Sequence, residues 1–329
     1  YSGTLSTDNF NLASLFGAKA LGLVSLTGTV KGKGIKEQSR NIFFDGTIRT
    51  IDYNGYRYEN IIVKGTLDKT VFTGNGSIAD KNAALTLNGL IDLNTKTPRF
   101  DLVADVEYAN LHSLKLTRDS MRFSGLIDAR FTGNSIDNFI GSAAVSRASL
   151  VRNGQPLPFD SLAIYSSIEN GEKTLTARSN EFTATLSGDF KIRDLPDAFQ
   201  YFLSRYYPSY VKAPKKTPVN ERINFNISTF NIDEYIRMAD SSLSGFNYST
   251  ITGKIDLPAN QLEAFIDVPR FQYRQFIFDE VKIKADGTGN SLVLAGTTKN
   301  IQLNDSLHIP HSSFSIRAAN DMSAVAINT

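Results

Sequence analysis

Hydrophobic and polar residues alternate with period two along most of this chain. Ala83, Leu85, Leu87, Gly89 and Ile91 alternate with Ala84, Thr86, Asn88, Leu90 and Asp92. Phe100, Leu102, Ala104, Val106 and Tyr108 alternate with Asp101, Val103, Asp105 and Glu107. Phe182, Ala184, Leu186, Gly188, Phe190 and Ile192 do the same, as do Val281, Ile283 and Ala285. Residues two apart in an extended strand share a face, so each segment predicts a strand with one dry and one wet side. Roughly 18 such strands can be counted, as expected of an antiparallel sheet covered on one face only. Asn54-Gly55, Asn153-Gly154, Asn170-Gly171 and Asp286-Gly287 supply hairpin-type turns between them.

Glycines fall inside this pattern in a regular way. Seven triplets place a glycine between apolar residues two positions away on each side: Leu26-Gly28-Val30, Phe44-Gly46-Ile48, Val63-Gly65-Leu67, Leu87-Gly89-Ile91, Phe123-Gly125-Ile127, Leu186-Gly188-Phe190 and Ile251-Gly253-Ile255. Each glycine therefore lies on the dry face, where it packs nothing and marks a bend or a close approach. Seven in phase predict strands that bend around their apolar side. The expected fold is all-β with a few short helices: an elongated, highly curved antiparallel sheet forming a hydrophobic groove. The fourteen apolar residues of the triplets are its expected lining. A closed sandwich is the competing arrangement, and glycine in mid-face argues against it because it does not help fill a core.

A coarser repeat overlies the strands. Phe10-Asn11-Leu12 with Leu15, Ala109-Asn110-Leu111 with Leu114, and Phe230-Asn231-Ile232 with Tyr235 each follow a strand and open a short helical segment that Asn can cap. One longer helix is expected from about Leu195 to Tyr207, with Asp194 as cap, Pro196 early, and Phe199, Phe202 and Leu203 packed against the sheet or over a groove opening. Lys212 to Pro218 reads as an exposed loop after it. These features divide the chain into a first groove segment (1–193, repeat starts near 10 and 109), a helix plus Lys/Pro loop (194–220) and a second groove segment (221–329, repeat start near 230).

Composition narrows the function. The 329 residues are 41% hydrophobic, with 23 glycines and no tryptophan, which favours a thin architecture over a thick core. The net charge is +2, from 35 basic and 33 acidic residues, with no basic block, so nucleic acid is not an expected partner. The absence of cysteine excludes disulfides, thiolate metal sites and cysteine nucleophiles. No apolar stretch is long enough to span a bilayer, and Tyr1 to Phe10 already read as strand, so the chain is expected to be an internal piece of a longer protein.

Candidate chemistry is sparse. His308 and His311 flank Pro310 and make half a zinc site at most; His112 reads as a surface residue. Asp101, Asp105 and Glu107 share one strand face and read as its wet side. Gly32-Lys33-Gly34 and Gly74-Asn75-Gly76 lack the rest of any phosphate-binding fingerprint. No catalytic residue, metal site or cofactor is expected, and the chain is not expected to be an enzyme.

The one-sided strands, the Gly-centred triplets, the strand-Asn-Leu-x-x-Leu steps and the Tyr-rich helix before a Lys/Pro loop resemble the TamB branch of the AsmA-like proteins, most closely its Bacteroidetes form. That resemblance implies a taco-shaped, β-rich periplasmic body belonging to an inner-membrane-anchored, envelope-spanning protein. It implies conduction of phospholipids between the inner and outer membranes along the groove, with acyl chains as the bound partner. An outer-membrane barrel partner (TamA-like) and the inner-membrane anchor would be engaged by parts outside this piece. A chaperone-like scaffold receiving outer-membrane strands by β-augmentation is the alternative. A β-solenoid enzyme acting on carbohydrate is disfavoured, because convergent acids are missing and the repeats are too long.

Overall fold

A computed structural model describes residues 1–16, 20–34, 36–92, 97–157, 160–216, 220–289 and 291–329. Strand accounts for 66% of the chain and helix for 7%, so the protein is all-β in the sense the alternation predicts. Twenty-one strands form an antiparallel sheet that is not closed. The chain divides into two compact units, Tyr1–Ala163 and Ile164–Thr329.

In the first unit, β1 (Ser2–Asn11) is followed by α1 (Leu12–Phe16), β2 (Leu21–Lys33), β3 (Asn41–Tyr53) and β4 (Tyr56–Asp68). Then come β5 (Val71–Asp80), β6 (Ala83–Asp92), β7 (Arg99–Asn110), β8 (Met121–Thr132), β9 (Ile140–Arg152) and β10 (Gln155–Leu157). Each strand pairs with the next in sequence, because short turns leave an antiparallel neighbour as the only partner within reach. Asn54-Gly55 and Asn153-Gly154 make the expected hairpins, both residues of each pair having positive φ.

In the second, β11 (Leu162–Glu169), within which the division falls, leads to β12 (Glu172–Ser179) and β13 (Phe182–Asp189). Next are α2 (Leu195–Ser204), β14 (Arg222–Thr229), α3 (Asp233–Ala239), β15 (Leu243–Gly245) and β16 (Thr250–Asp256). β17 (Gln261–Tyr273), β18 (Phe276–Gly287), β19 (Leu292–Gln302), β20 (His308–Ala319) and β21 (Met322–Asn328) complete it. β15 and β16 pair with successive stretches of β17, and the others follow in order. Asp286-Gly287 is not a turn: both residues end β18, paired with Glu263 and Leu262. The three-residue strands β10 and β15 are too short to carry a readable alternation, which is part of why 18 was an undercount.

The sheet is thin. A compact monomer of 36.2 kDa would expose roughly 13,000 Å², and two separate globules of half that mass roughly 16,000 Å². The chain exposes 19498 Å². Most of the apolar face is therefore only partly withdrawn from water, and along the strands half-buried residues alternate with exposed ones.

Bulges interrupt the alternation along a transverse line. In the first unit the register shifts at Thr7/Phe10, Ser25/Leu26, Ala84/Leu85, Val106/Ala109 and Ser124/Leu126, with Asn9, Asn60 and Arg147 at positive φ beside them. Each extra residue turns the following side chains over. Tyr108 consequently leaves the face of Phe100 and Val106, and Ala109 takes its place opposite Ala83. The unbroken alternation expected of β7 fails there for that reason.

The helical predictions need several corrections. α2 forms with Pro196 in its first turn, but Asp194 makes no side-chain cap, since a preceding 3₁₀ turn (Ile192–Asp194) holds its backbone helical. The side chains it buries are Ala198, Phe202 and Ser204, with Tyr206 just beyond; Phe199 (48% exposed) and Leu203 face outward. The Asn motifs make the expected cap bond twice, but of these two only Asn11 opens a helix; after Asn110 the chain forms a turn and no helix. Asn11 Oδ1 accepts from Ser14 N at 3.2 Å, and Asn110 Oδ1 from Ser113 N at 3.1 Å. At the third, Asn231 is replaced in the role by Asn247, whose Oδ1 accepts from Ile232 N at 2.8 Å and Asp233 N at 3.1 Å. The side chain of Leu15, and Thr217 and Pro218 of the Lys/Pro loop, lie outside the described residues.

Candidate functional site: the apolar face of the sheet

The pairing registers assemble the triplets into rows that cross the strands. One row of the first unit runs Leu5, Gly28, Gly46, Val63, Gly76, Leu87, Ala104, Ile127, Val145. The next runs Val30, Phe44, Gly65, Gly74, Gly89, Leu102, Ala129, Ala143. Leu26 and Ile48 lie in the row on one side, and Leu67 and Ile91 in the row on the other. In the second unit, Ile227, Ile251, Ile266 and Ile283 form one row and Leu175, Leu186, Phe225 and Gly253 begin another. Thirteen of the fourteen residues chosen from spacing thus share the apolar faces of their units. Phe190 lies one position beyond β13, and the strand expected to run on to Ile192 stops at Asp189 because Ile192 enters the 3₁₀ turn before α2.

Glycine has a further purpose here that the spacing did not reveal. A β-carbon at Gly65 would lie 2.6 Å from Phe72 Cζ, one at Gly28 2.7 Å from Phe44 Cε2, and one at Gly253 2.6 Å from Phe225 Cζ. Each ring lies across a glycine of a neighbouring strand, so the missing side chain lets an aromatic ring lie flat on the sheet. Phe72, Phe225 and Phe314, which covers Gly296, belong to the floor for this reason and were missed. For Phe72 the available signal was Phe-x-Gly, shared with Phe44-Gly46 and Phe123-Gly125; Phe225 and Phe314 carry no such local signal, because their glycines lie on other strands. Backbone also closes in: a β-carbon at Gly46 would sit 2.5 Å from Gly28 Cα and from Thr27 O, so adjoining strands lean toward this face. Gly46→Ala is expected to cost roughly 1–3 kcal/mol in urea denaturation. Gly3→Ala, with nothing within 4 Å, should stay within about 0.5 kcal/mol.

Each apolar face is closed at one end by a small core. In the first unit Ala83, Val106, Ala109 and Leu114 pack with Tyr56, Tyr58, Leu111 and Phe123. The Asn110 turn folds Leu111 and Leu114 onto the strand ends there. In the second, α2 lays Ala198, Phe202 and Tyr206 over Ile255, Leu292 and Ala318. Tyr206 Oη donates to Thr288 O at 2.5 Å, and Ser209 N and Oγ both donate to the Asp321 carboxylate at 3.0 Å, holding the helix end on the β20–β21 turn. At the other end lie ring stacks, Phe100–Phe131–Phe139 in the first unit and Phe246–Phe271–Phe278 in the second. Of the fourteen lining residues, Ile255 (1% exposed) lies beneath α2 and Phe190 (6%) under Lys173; the other twelve are half-buried.

The first end cluster contains a tight polar network. Tyr56 Oη donates to Asp80 Oδ1 at 2.5 Å and accepts from Asn82 Nδ2 at 2.9 Å, while Glu59 N donates to Asp80 Oδ2 at 3.0 Å. Burial, and then the hydrogen bond to Asp80, push the Tyr56 phenol from 10.0 up to about 12. A raised phenol keeps its full stabilisation below pH 10 and loses it as pH rises to 12, because the unfolded chain ionises first. The stability advantage of wild type over Tyr56→Phe should shrink by about 1–2 kcal/mol over that interval, less than the full linkage because the ring is partly exposed. Denaturation series at pH 9 and pH 12 measure it.

The other candidate groups stay apart. Asp101, Asp105 and Glu107 are exposed on the polar face, with Asp101 3.7 Å from Arg130. His308 and His311 are exposed in β20, and His112 on the Asn110 turn. Among the described residues, no group of three or more His, Asp or Glu is placed to hold a metal ion, and no helix is long and apolar enough to cross a membrane. Three described hollows, of about 550, 450 and 400 Å³, are lined chiefly by polar-face residues; Ile266 and Ile283 of an apolar row also border the first, and Gly76 and Leu87 the second. A twisted sheet is saddle-shaped and hollows on both sides along different diagonals. Fold and site together define an open, one-sided antiparallel sheet with an uncovered apolar floor. Comparison with family models, curated proteins and solved structures returns no match.

Proposed function

We propose that this chain is a lipid-conducting segment, in which acyl chains of phospholipid lie on the apolar rows of the sheet. One observation carries the reading: twelve of the fourteen triplet residues remain partly exposed on a face that a packed sandwich would have covered. An acyl chain leaving water gains about 0.8 kcal/mol per buried CH₂, and flat Phe rings beside glycine leave few obstacles to sliding. Passive conduction of this kind asks for no catalytic group. The sequence resemblance extends the proposal to a periplasmic, envelope-spanning carrier between inner and outer membranes, with a TamA-like barrel partner met elsewhere in the protein.

The experiment is native mass spectrometry of the purified protein, together with lipid extraction and titration of a fluorescent fatty acid. Phospholipid is expected to co-purify and the fatty acid to bind. A lipid-free protein that ignores the probe would end the proposal. The scaffold reading draws on β21, which is exposed throughout and carries neither charge nor proline, the usual protections of a free edge. Binding of extended peptides without lipid would favour it instead.

A further inference from the structure

The polar face of the second unit carries a groove of about 550 Å³ for which lipid conduction has no use. It is bordered by the small residues Ala295, Thr297 and Ser313 and by Phe265, Lys282 and Lys284, and residues of the apolar rows such as Ile266 and Ile283 also reach it. Two rows meet in it. Thr252, Phe265, Lys284 and Ala295 stand opposite one another across β16 to β19, and Thr250, Asp267, Lys282, Thr297 and Ser313 across β16 to β20. An adjoining hollow of about 400 Å³ shares Lys282, Thr297 and Ser313 and extends the groove toward His311. The site is therefore elongated and built on paired strands, which hold its groups in place before any ligand arrives.

Its chemistry is selective. Phe265 is 47% exposed on a face otherwise given to charge and hydroxyls. Lys282 Nζ lies 3.6 Å from Asp267, and Lys284 Nζ stands 5.6 Å over the Phe265 ring. Each ammonium is already engaged, so the groove is not a trap for a bare anion. These strands are flanked on both sides, so it does not accept a peptide by strand addition either. Hydroxyls that both donate and accept alternate with a carboxylate acceptor and ammonium donors around one flat apolar ring. A sugar presents that complement: hydroxyls of both capacities around its rim and an apolar C–H face.

We infer that this groove binds an oligosaccharide, Phe265 stacking on one sugar ring while the Asp267–Lys282 pair takes neighbouring hydroxyls. The test is titration of the whole chain with cellohexaose (neutral) and hexagalacturonic acid (acidic), followed by calorimetry or NMR. Binding of at least one is expected, weakened tenfold or more by Phe265→Ala and by Asp267→Asn. Both positions are exposed, so the variants should keep the β-sheet circular dichroism of the parent. Binding of neither sugar, or binding unchanged in either variant, overturns the inference.

Discussion

Leu87→Arg combined with Ile251→Arg is expected to cut fatty-acid loading at least tenfold while the sheet stays folded. Leu87 stands between Gly76 and Ala104 in its row, and Ile251 between Ile227 and Ile266. Both are half-buried on uncovered faces, so an arginine stem can lie along the floor with its guanidinium in water. An acyl chain crossing that position would have to desolvate the charge, which costs several kcal/mol, and 1.4 kcal/mol already corresponds to tenfold in affinity. Asn88→Arg, one residue along on the exposed face, should leave loading unchanged. Unfolding of the double variant by circular dichroism would instead indicate a closed core, and normal loading would remove the apolar rows from the lipid path.

Phe202→Ala carries the largest stability effect expected in the second unit, about 3–5 kcal/mol. Phe202 is 3% exposed, meets Tyr206 edge-on at 5.2 Å, and fills the space that Gly287 leaves open, where a β-carbon would lie 2.6 Å from its ring. Truncation empties the contact between α2 and the strands, and a thin sheet has little else to collapse into the gap. Phe199→Ala, on the outer side of the same helix, should fall within about 0.5 kcal/mol. Urea midpoints distinguish the two; equal losses would mean that α2 is not seated through Phe202.

The contrast between Phe199 and Phe202 illustrates where sequence reasoning stops. Helical spacing identifies an apolar stripe, but Ala198, Phe199, Phe202, Leu203 and Tyr206 span an arc wider than the strip of sheet available, and packing against Ile255 and Gly287 selects which part is buried. Asp194 shows the same limit, since capping depends on the backbone of the preceding turn. Asp286-Gly287 has turn composition and is strand, because Gly287 is needed under Phe202. In each case a long-range neighbour overrides a local signal.

What the amino-acid sequence determined by itself is the class of fold and the identity of the dry faces. Period-two alternation is a local property, set by the geometry of an extended chain, and it places thirteen of the fourteen triplet residues, all but Phe190, on the apolar side before any pairing is known. The Asn-Gly hairpins at Asn54, Asn153 and Asn170 are local in the same sense. Tertiary structure alone decided the register that lines glycines up across strands and lays Phe72 over Gly65 and Phe225 over Gly253. It also decided the bulges that turn Tyr108 away from the apolar face, and the end clusters that leave Ile255 covered and Leu87 open. These depend on which residue of one strand meets which residue of the next, and a strand's own sequence fixes its faces without fixing its partners.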